Sequence, residues 1–213
     1  TIAVADKKAK PGRFHHAAGE DAAHDHLILE MDGGHRVIYN DARRFGYMTL
    51  MPRAALAEHE HFRHLGIEPL GNELSADFLA RVAHGRRADL KALLMDQRII
   101  AGLGNIYVCE ALYRSGLSPL KPASVLATRS GKPTEKAHRL APMIRTVLEE
   151  AVAAGGSTLR DYRHADGSLG YFQHAFQIYG REGKPCATPG CRGIVRRTIQ
   201  GGRSTFHCAV CQR

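Results

Sequence analysis

Four of the chain's five cysteines lie between Cys186 and Cys211, spaced as C-x4-C, sixteen residues, then C-x2-C. Each short pair can put two thiolates on one side of a tight turn, and a hairpin between the pairs brings all four together as a tetrahedral zinc site. The intervening residues suit that hairpin, because 193–199 and 203–207 read as two strands joined by Gln200-Gly201-Gly202. A segment this short buries too little apolar surface to fold alone, so the metal would supply its folding free energy. Two disulfides are the alternative in a secreted chain. The absence of a charged-then-apolar leader, in a chain not cysteine-dense elsewhere, favours one structural zinc on Cys186, Cys191, Cys208 and Cys211. The same segment is basic: from Arg181 to Arg213 there are seven Lys/Arg and one acidic residue, in a chain of net charge +9. Such a patch suits a polyanion.

A second candidate is Ala101-Gly102-Leu103-Gly104-Asn105-Ile106-Tyr107, where two glycines precede a helix start. Bare backbone lets an anion approach the unpaired N–H groups and the positive end of the helix dipole. A tight turn between packed helices is the plainer reading of a glycine pair. Asp96-Gln97-Arg98 upstream and the basic hairpin downstream favour a DNA backbone contact at Asn105. Asp41-Ala42-Arg43-Arg44-Phe45-Gly46 offers two guanidiniums and a ring at a strand end, the parts needed to pair with a base edge and wedge into a stack. Taken alone, that stretch equally fits a solvated edge with Phe45 in the core. The thirteen histidines do not make a second metal site. His24 and His26 alternate on an expected strand, but Leu27, Ile28 and Leu29 follow as core and no third ligand is indicated. His59, His61 and His64 fall on the wet face of an expected helix. Cys109, mid-helix among Ile106, Val108 and Leu112, is a buried small hydrophobe.

The elements that must position these groups are those of an α+β protein. With 213 residues, 44% hydrophobic and 24% charged, the chain has a globular composition. No apolar run approaches the roughly 20 residues needed to cross a bilayer. Together with the reduced cysteines and a pI near 9.6, this points to a cytoplasmic protein with a nucleic-acid partner and no membrane partner. Strands are expected at 26–31 and 36–39 around an Asp32-Gly33-Gly34 turn, with another at 47–51. Three strands are too few to close a sandwich, so partner strands are expected upstream of Thr1. Helices are expected at 54–64, 75–83, 89–95, 106–114 with Asn105 as N-cap, and 134–154 with Pro142 as a kink or delayed start. The resulting division is a partial N-terminal β-sandwich at 1–65, a helical domain at 66–165, a loop and linker at 166–180, and the zinc hairpin at 181–213.

Taken together, Asp41-Ala42-Arg43-Arg44-Phe45-Gly46, then Leu94-Met95-Asp96-Gln97 leading to Gly102-Leu103-Gly104-Asn105-Ile106-Tyr107, then the four-cysteine hairpin with Gly202-Arg203-Ser204-Thr205-Phe206, resemble the bacterial formamidopyrimidine-DNA glycosylases. The resemblance implies a β-sandwich, a helix-two-turn-helix domain and a zinc finger gripping bent duplex DNA, acting as a monomer. The enzyme flips an oxidised purine such as 8-oxoguanine or formamidopyrimidine out of the stack, excises it and cleaves the abasic strand. It also implies residue roles. Arg43 would face the orphaned cytosine and Phe45 would wedge the stack. His24, Arg86 and Asn105 would hold phosphates. Arg203 would contact the phosphate beside the lesion and assist elimination as the catalytic residue within this chain, and Gly167 to Tyr171 would cover the lesion. Two other readings fit parts of the pattern: an endonuclease VIII type acting on oxidised pyrimidines, and a non-catalytic zinc-ribbon DNA-binding protein.

The family's nucleophilic proline, its neighbouring glutamate and an assisting lysine are all expected upstream of Thr1. The 213 residues are therefore expected to bind DNA without excising bases, since a displaced amine forfeits the proximity on which attack at the sugar depends. Incubation with 8-oxoguanine duplex and borohydride, which traps an iminium covalently, should give no trapped complex. Trapping at catalytic rates would mean that another amine, such as a lysine between Lys7 and Lys10, carries out the chemistry.

Overall fold

The computed structural model describes residues 2–5, 22–41, 44–157 and 171–213. These fall into two compact units, one formed by 1–52 with 151–175, the other by 53–150 with 176–213.

In the first unit, β1 (Ile2–Ala5), β2 (Asp25–Glu30) and β3 (Arg36–Asn40) form an antiparallel sheet in the order β1-β3-β2. The β2–β3 hairpin closes through Gly33 and Gly34, both at positive φ, with the Met31 N–H donating to the His35 carbonyl at 2.8 Å. That much agrees with the sequence pattern, but three expectations do not hold. His24 lies in a 3-10 turn (Ala22–His24) ahead of β2 and not on a strand with His26. Residues 47–51 form no strand. Leu27, Ile28 and Leu29 are 39–43% exposed, not core, because no second sheet covers either face of this one among the described residues.

The second unit holds the buried core. The helix α1 (Ala76–Ala83) starts at Ser75, whose hydroxyl accepts from the Phe78 N–H at 3.1 Å, and it buries Phe78, Leu79, Ala80 and Ala83. The short α2 (Leu90–Leu94), α3 (Asn105–Arg114) and the long α4 (Glu135–Ala153, whose last turn belongs to the first unit) follow. Leu79, Leu90, Leu94, Ile100, Leu103, Leu112, Leu140 and Ile144 are fully buried, each worth about 1.5–3 kcal/mol by transfer from water. Helix α4 runs through Pro142 from Glu135, so the proline does not mark its start. The helix expected at 54–64 is absent. Only a 3-10 turn (Arg53–Ala55) and further turns occur there, and the segment buries no face that would hold a helix together.

The strands β4 (Val195–Gln200) and β5 (Arg203–Cys208) pair from Val195↔Cys208 to Gln200↔Arg203. Gly201 and Gly202, at φ +54° and +72°, make the two-residue turn that matches strand twist. Removing the α1 cap by Ser75→Ala should cost about 1 kcal/mol, read as a lower urea midpoint with unchanged slope. An unchanged midpoint would mean that the cap contributes nothing.

A four-thiolate knuckle and an anion cleft

The sulfurs of Cys186, Cys191, Cys208 and Cys211 lie within 4.8 Å of one another. Cys186 and Cys211 are 3.6 Å apart, and Cys191 and Cys208 3.7 Å. These separations are too long for disulfides. They match the edge of a tetrahedron with Zn–S bonds of about 2.3 Å, which is about 3.8 Å. The donor set therefore fits a structural zinc, with no ligand position left for water. Gly193 donates its N–H to Cys191 Sγ at 3.4 Å, and a Cβ on it would collide with the Cys208 sulfur, so the knuckle requires glycine there. Burial pushes the Cys186 thiol up, but hydrogen bonds from Tyr113 and Thr188 outweigh it and leave the thiol at about 6.

The knuckle packs on the helices. Val195, Phe206, Cys186 and Cys208 share a buried cluster with Cys109 and Tyr113 of α3 and with Ile178. Polar ties reinforce this packing. Lys91 Nζ donates to Thr205 Oγ1 at 2.7 Å, and Gln212 Nε2 to the Leu117 carbonyl at 2.8 Å, both buried. Gln200 Nε2 donates to Asp89 at 2.9 Å. The Glu110 carboxylate, fully buried, accepts the N–H groups of Gln177, Ile178 and Tyr179 at 2.9–3.1 Å. That contact anchors the segment leading into the knuckle.

Between α3 and β5 opens a cleft of about 420 Å³ lined by Gly104, Asn105, Ile106, Tyr107, Tyr179, Arg203 and Ser204. Gly104 is the N-cap of α3, so Asn105 is the first helical residue and not the cap expected from sequence. Its side chain is used otherwise: Asn105 Nδ2 donates to the Ser204 carbonyl at 3.0 Å and the Tyr179 hydroxyl at 3.4 Å, tying helix to hairpin. The first intrahelical bond is from Val108 to Gly104. The N–H groups of Asn105 and Ile106, which begin the helix, come before that first bond. With the exposed Arg203 across the cleft, the arrangement suits a phosphate.

The expected site residues are only partly brought together. Asn105 and Arg203 share the cleft, whereas Arg86 lies on an exposed loop and does not line it. Phe45, in the first unit, is 78% exposed, so its ring is not core. Its loop is held by Asp41, whose carboxylate accepts the Gly46 N–H at 2.6 Å and the Tyr39 hydroxyl at 3.2 Å. Arg43 and residues 167–170 of the expected covering loop lie outside the described residues. Among the described residues the four thiolates are the only cluster of metal-ligand type, and the histidines form none. Cys109 is buried as expected. Sequence reading passed over Tyr179, Lys91 and Glu110. The only signal for Tyr179 was its place with Phe176 just ahead of the knuckle.

Residues 65–163 match the model for the formamidopyrimidine-DNA glycosylase H2TH domain. The formamidopyrimidine-DNA glycosylase of Rhodopseudomonas palustris (strain HaA2) is 57% identical over 204 residues, covering 96% of this chain and 70% of the relative. The chain belongs to the formamidopyrimidine-DNA glycosylase family. The relative from Beijerinckia indica is 60% identical over 195 residues, covering 92% of this chain and 68% of that protein. Among solved structures, the MutM (Fpg) protein of Thermus thermophilus is similar with a TM-score of 0.75 and 42% identity, over 89% of this chain and 68% of that one. A Lactococcus lactis Fpg mutant, solved in complex with Fapy-dG-containing DNA, matches with a TM-score of 0.77 and 28% identity over all of this chain and 71% of that one. Membership in this glycosylase family agrees with the α+β architecture and with the thiolate knuckle.

Because the knuckle and α3 share a core, Cys208→Ser should release zinc and also destabilise the helical unit. Metal analysis should fall from one zinc per chain to none, with a lower melting temperature. Full zinc retention, or loss of zinc with unchanged melting, would contradict the shared core.

Proposed function

We propose that the chain binds duplex DNA through the Asn105–Arg203 cleft and serves the excision of oxidised purines, 8-oxoguanine and formamidopyrimidines, as a monomer. The observation carrying this reading is the cleft itself, in which the N-terminus of α3 and Arg203 converge on a space that fits a phosphate. The relatives' name and the Lactococcus complex with Fapy-dG DNA support the purine branch over the pyrimidine one.

Each residue's work follows from its chemistry. The α3 amides and Arg203 bind a backbone phosphate, which fixes register without reading sequence. Tyr179, through its hydroxyl contact with Asn105, closes one side of that seat. In the lyase step, Arg203 stabilises the charge that develops as the phosphate departs. Phe45, with an exposed ring, wedges into the stack, and Arg43 pairs with the orphaned cytosine. His24 and Arg86 contribute further phosphate contacts. Cys186, Cys191, Cys208 and Cys211 would hold zinc, which would offset part of their negative charge and fix the hairpin geometry without a part in bond breaking.

Two substitutions separate these roles. Arg203→Ala should weaken binding to damaged and undamaged duplex alike and make the salt dependence shallower by about one phosphate. Arg43→Ala should cost about 1–3 kcal/mol, mainly in the preference for cytosine opposite the lesion. Equal loss with every opposite base would remove Arg43 from base reading. Unchanged binding and salt slope in Arg203→Ala would remove the cleft from DNA recognition.

A further inference from the structure

The Asp96-Gln97-Arg98 stretch has no role in the cleft as described, yet it lies next to the turn that presents α3. Three hydrogen bonds leave the Gln97 carboxamide. Its Oε1 accepts the Gly102 N–H at 2.8 Å, and its Nε2 donates to the Leu103 carbonyl at 3.3 Å and the Met95 carbonyl at 3.1 Å. One side chain thus grips both polar ends of the turn that leads into Gly104 and Asn105. Gly102 sits at φ +74°, and the side on which a Cβ would project is open, so its conformation is not set by packing on that side.

The base of the grip is itself held. The Gln97 carbonyl accepts the Gly66 N–H at 2.8 Å, and Ile67 exchanges backbone bonds with Ile99 and Ala101 at 3.1 and 2.9 Å. A Cβ at Gly66 would collide with the Ile99 carbonyl, so the two backbones meet only through glycine. On either side of Gln97, Asp96 and Arg98 form a two-pronged ion pair at 2.9 and 2.8 Å, which keeps both side chains off the turn. The Gln97 carboxamide hydrogen-bonds both Gly102 and Leu103.

We infer that Gln97 is a positioning residue for the phosphate seat: it fixes the Gly102–Gly104 turn so that the first N–H groups of α3 face the bound phosphate before DNA arrives. This rests on the cleft being the phosphate site. An amide suits the task because only a group with both acceptor and donor can satisfy an N–H and two carbonyls at once. Pre-orientation matters for affinity because an ordered donor array does not lose freedom on binding.

The test uses the full chain and a duplex carrying a tetrahydrofuran abasic analogue, with dissociation constants measured over a series of salt concentrations. Gln97→Met keeps the volume and removes every hydrogen bond. Gln97→Glu keeps the partner of the Gly102 N–H and loses both donations. Zinc content and melting temperature are recorded for each. The expected result is binding weakened roughly 10-fold in both variants, with the salt slope of Gln97→Met unchanged because no cation is removed, while zinc stays at one per chain. A variant that loses zinc or melts at the assay temperature is set aside and the other carries the comparison. Should both do so, Gln97 is a stability residue and the inference is wrong. Near wild-type affinity in a folded variant would also overturn it, since a space-filling Gln97 predicts that outcome. Arg203→Ala in the same series separates the two levels. If it too is without effect, the cleft reading falls and takes this inference with it; if it weakens binding while the Gln97 variants do not, only the inference falls.

Discussion

Four sulfur atoms within 4.8 Å of one another cannot all carry charge unless a cation sits among them, since thiolates that close repel strongly. Most of the second unit depends on satisfying this constraint. Zinc turns a repulsive cluster into the joint of a hairpin that is too small to fold on its own apolar surface. The hairpin then lays Val195 and Phe206 against α3 and carries Arg203 to the edge of the α3 N-terminus. Metal binding, core packing and the phosphate seat are therefore linked. The knuckle lies at the hairpin's open end and Arg203 at its turn, and β5 transmits the position of one to the other.

Two buried charges serve the same joint from the helical side. Burying an ion costs several kcal/mol unless partners replace its water, and both Lys91 and Glu110 have such partners. Glu110 sits in a nest of three backbone N–H groups, with Arg114 3.8 Å away. Lys91 has the Thr205 hydroxyl, and burial together with the nearby Arg203 charge lowers its pKa. One fixes the segment entering the knuckle and the other the strand leaving the turn. Their polar requirements specify a single docking geometry where apolar contact alone would tolerate sliding.

The sequence made the local features legible and hid the long-range ones. Cysteine spacing, the Gly201-Gly202 turn and the Ser75 start are set by residues close in sequence, and each was read correctly. Asn105 was placed as the N-cap because its side chain favours that position, yet Gly104 caps. The asparagine instead reaches Ser204, 99 residues away. Lys91 and Glu110 carried no signal in the sequence because their partners lie 114 and 67–69 residues further on. In the first unit the apolar run Leu27 to Leu29 signalled a strand but not its cover, since burial depends on what packs against a sheet. Residues 54–64 failed for the converse reason: helical periodicity without a buried face is not enough to hold a helix.

The central claim is that the thiolate knuckle and α3 form one cooperative structure. Amide hydrogen exchange across Val108–Tyr113, followed in the full chain before and after chelation of zinc, tests it most directly. If the core is shared, removing zinc should raise exchange in α3 together with β4 and β5, by a similar free energy of opening. Protection of α3 that persists at its zinc-bound level while the hairpin exchanges freely would show that the knuckle is only an appendage, and would contradict the account.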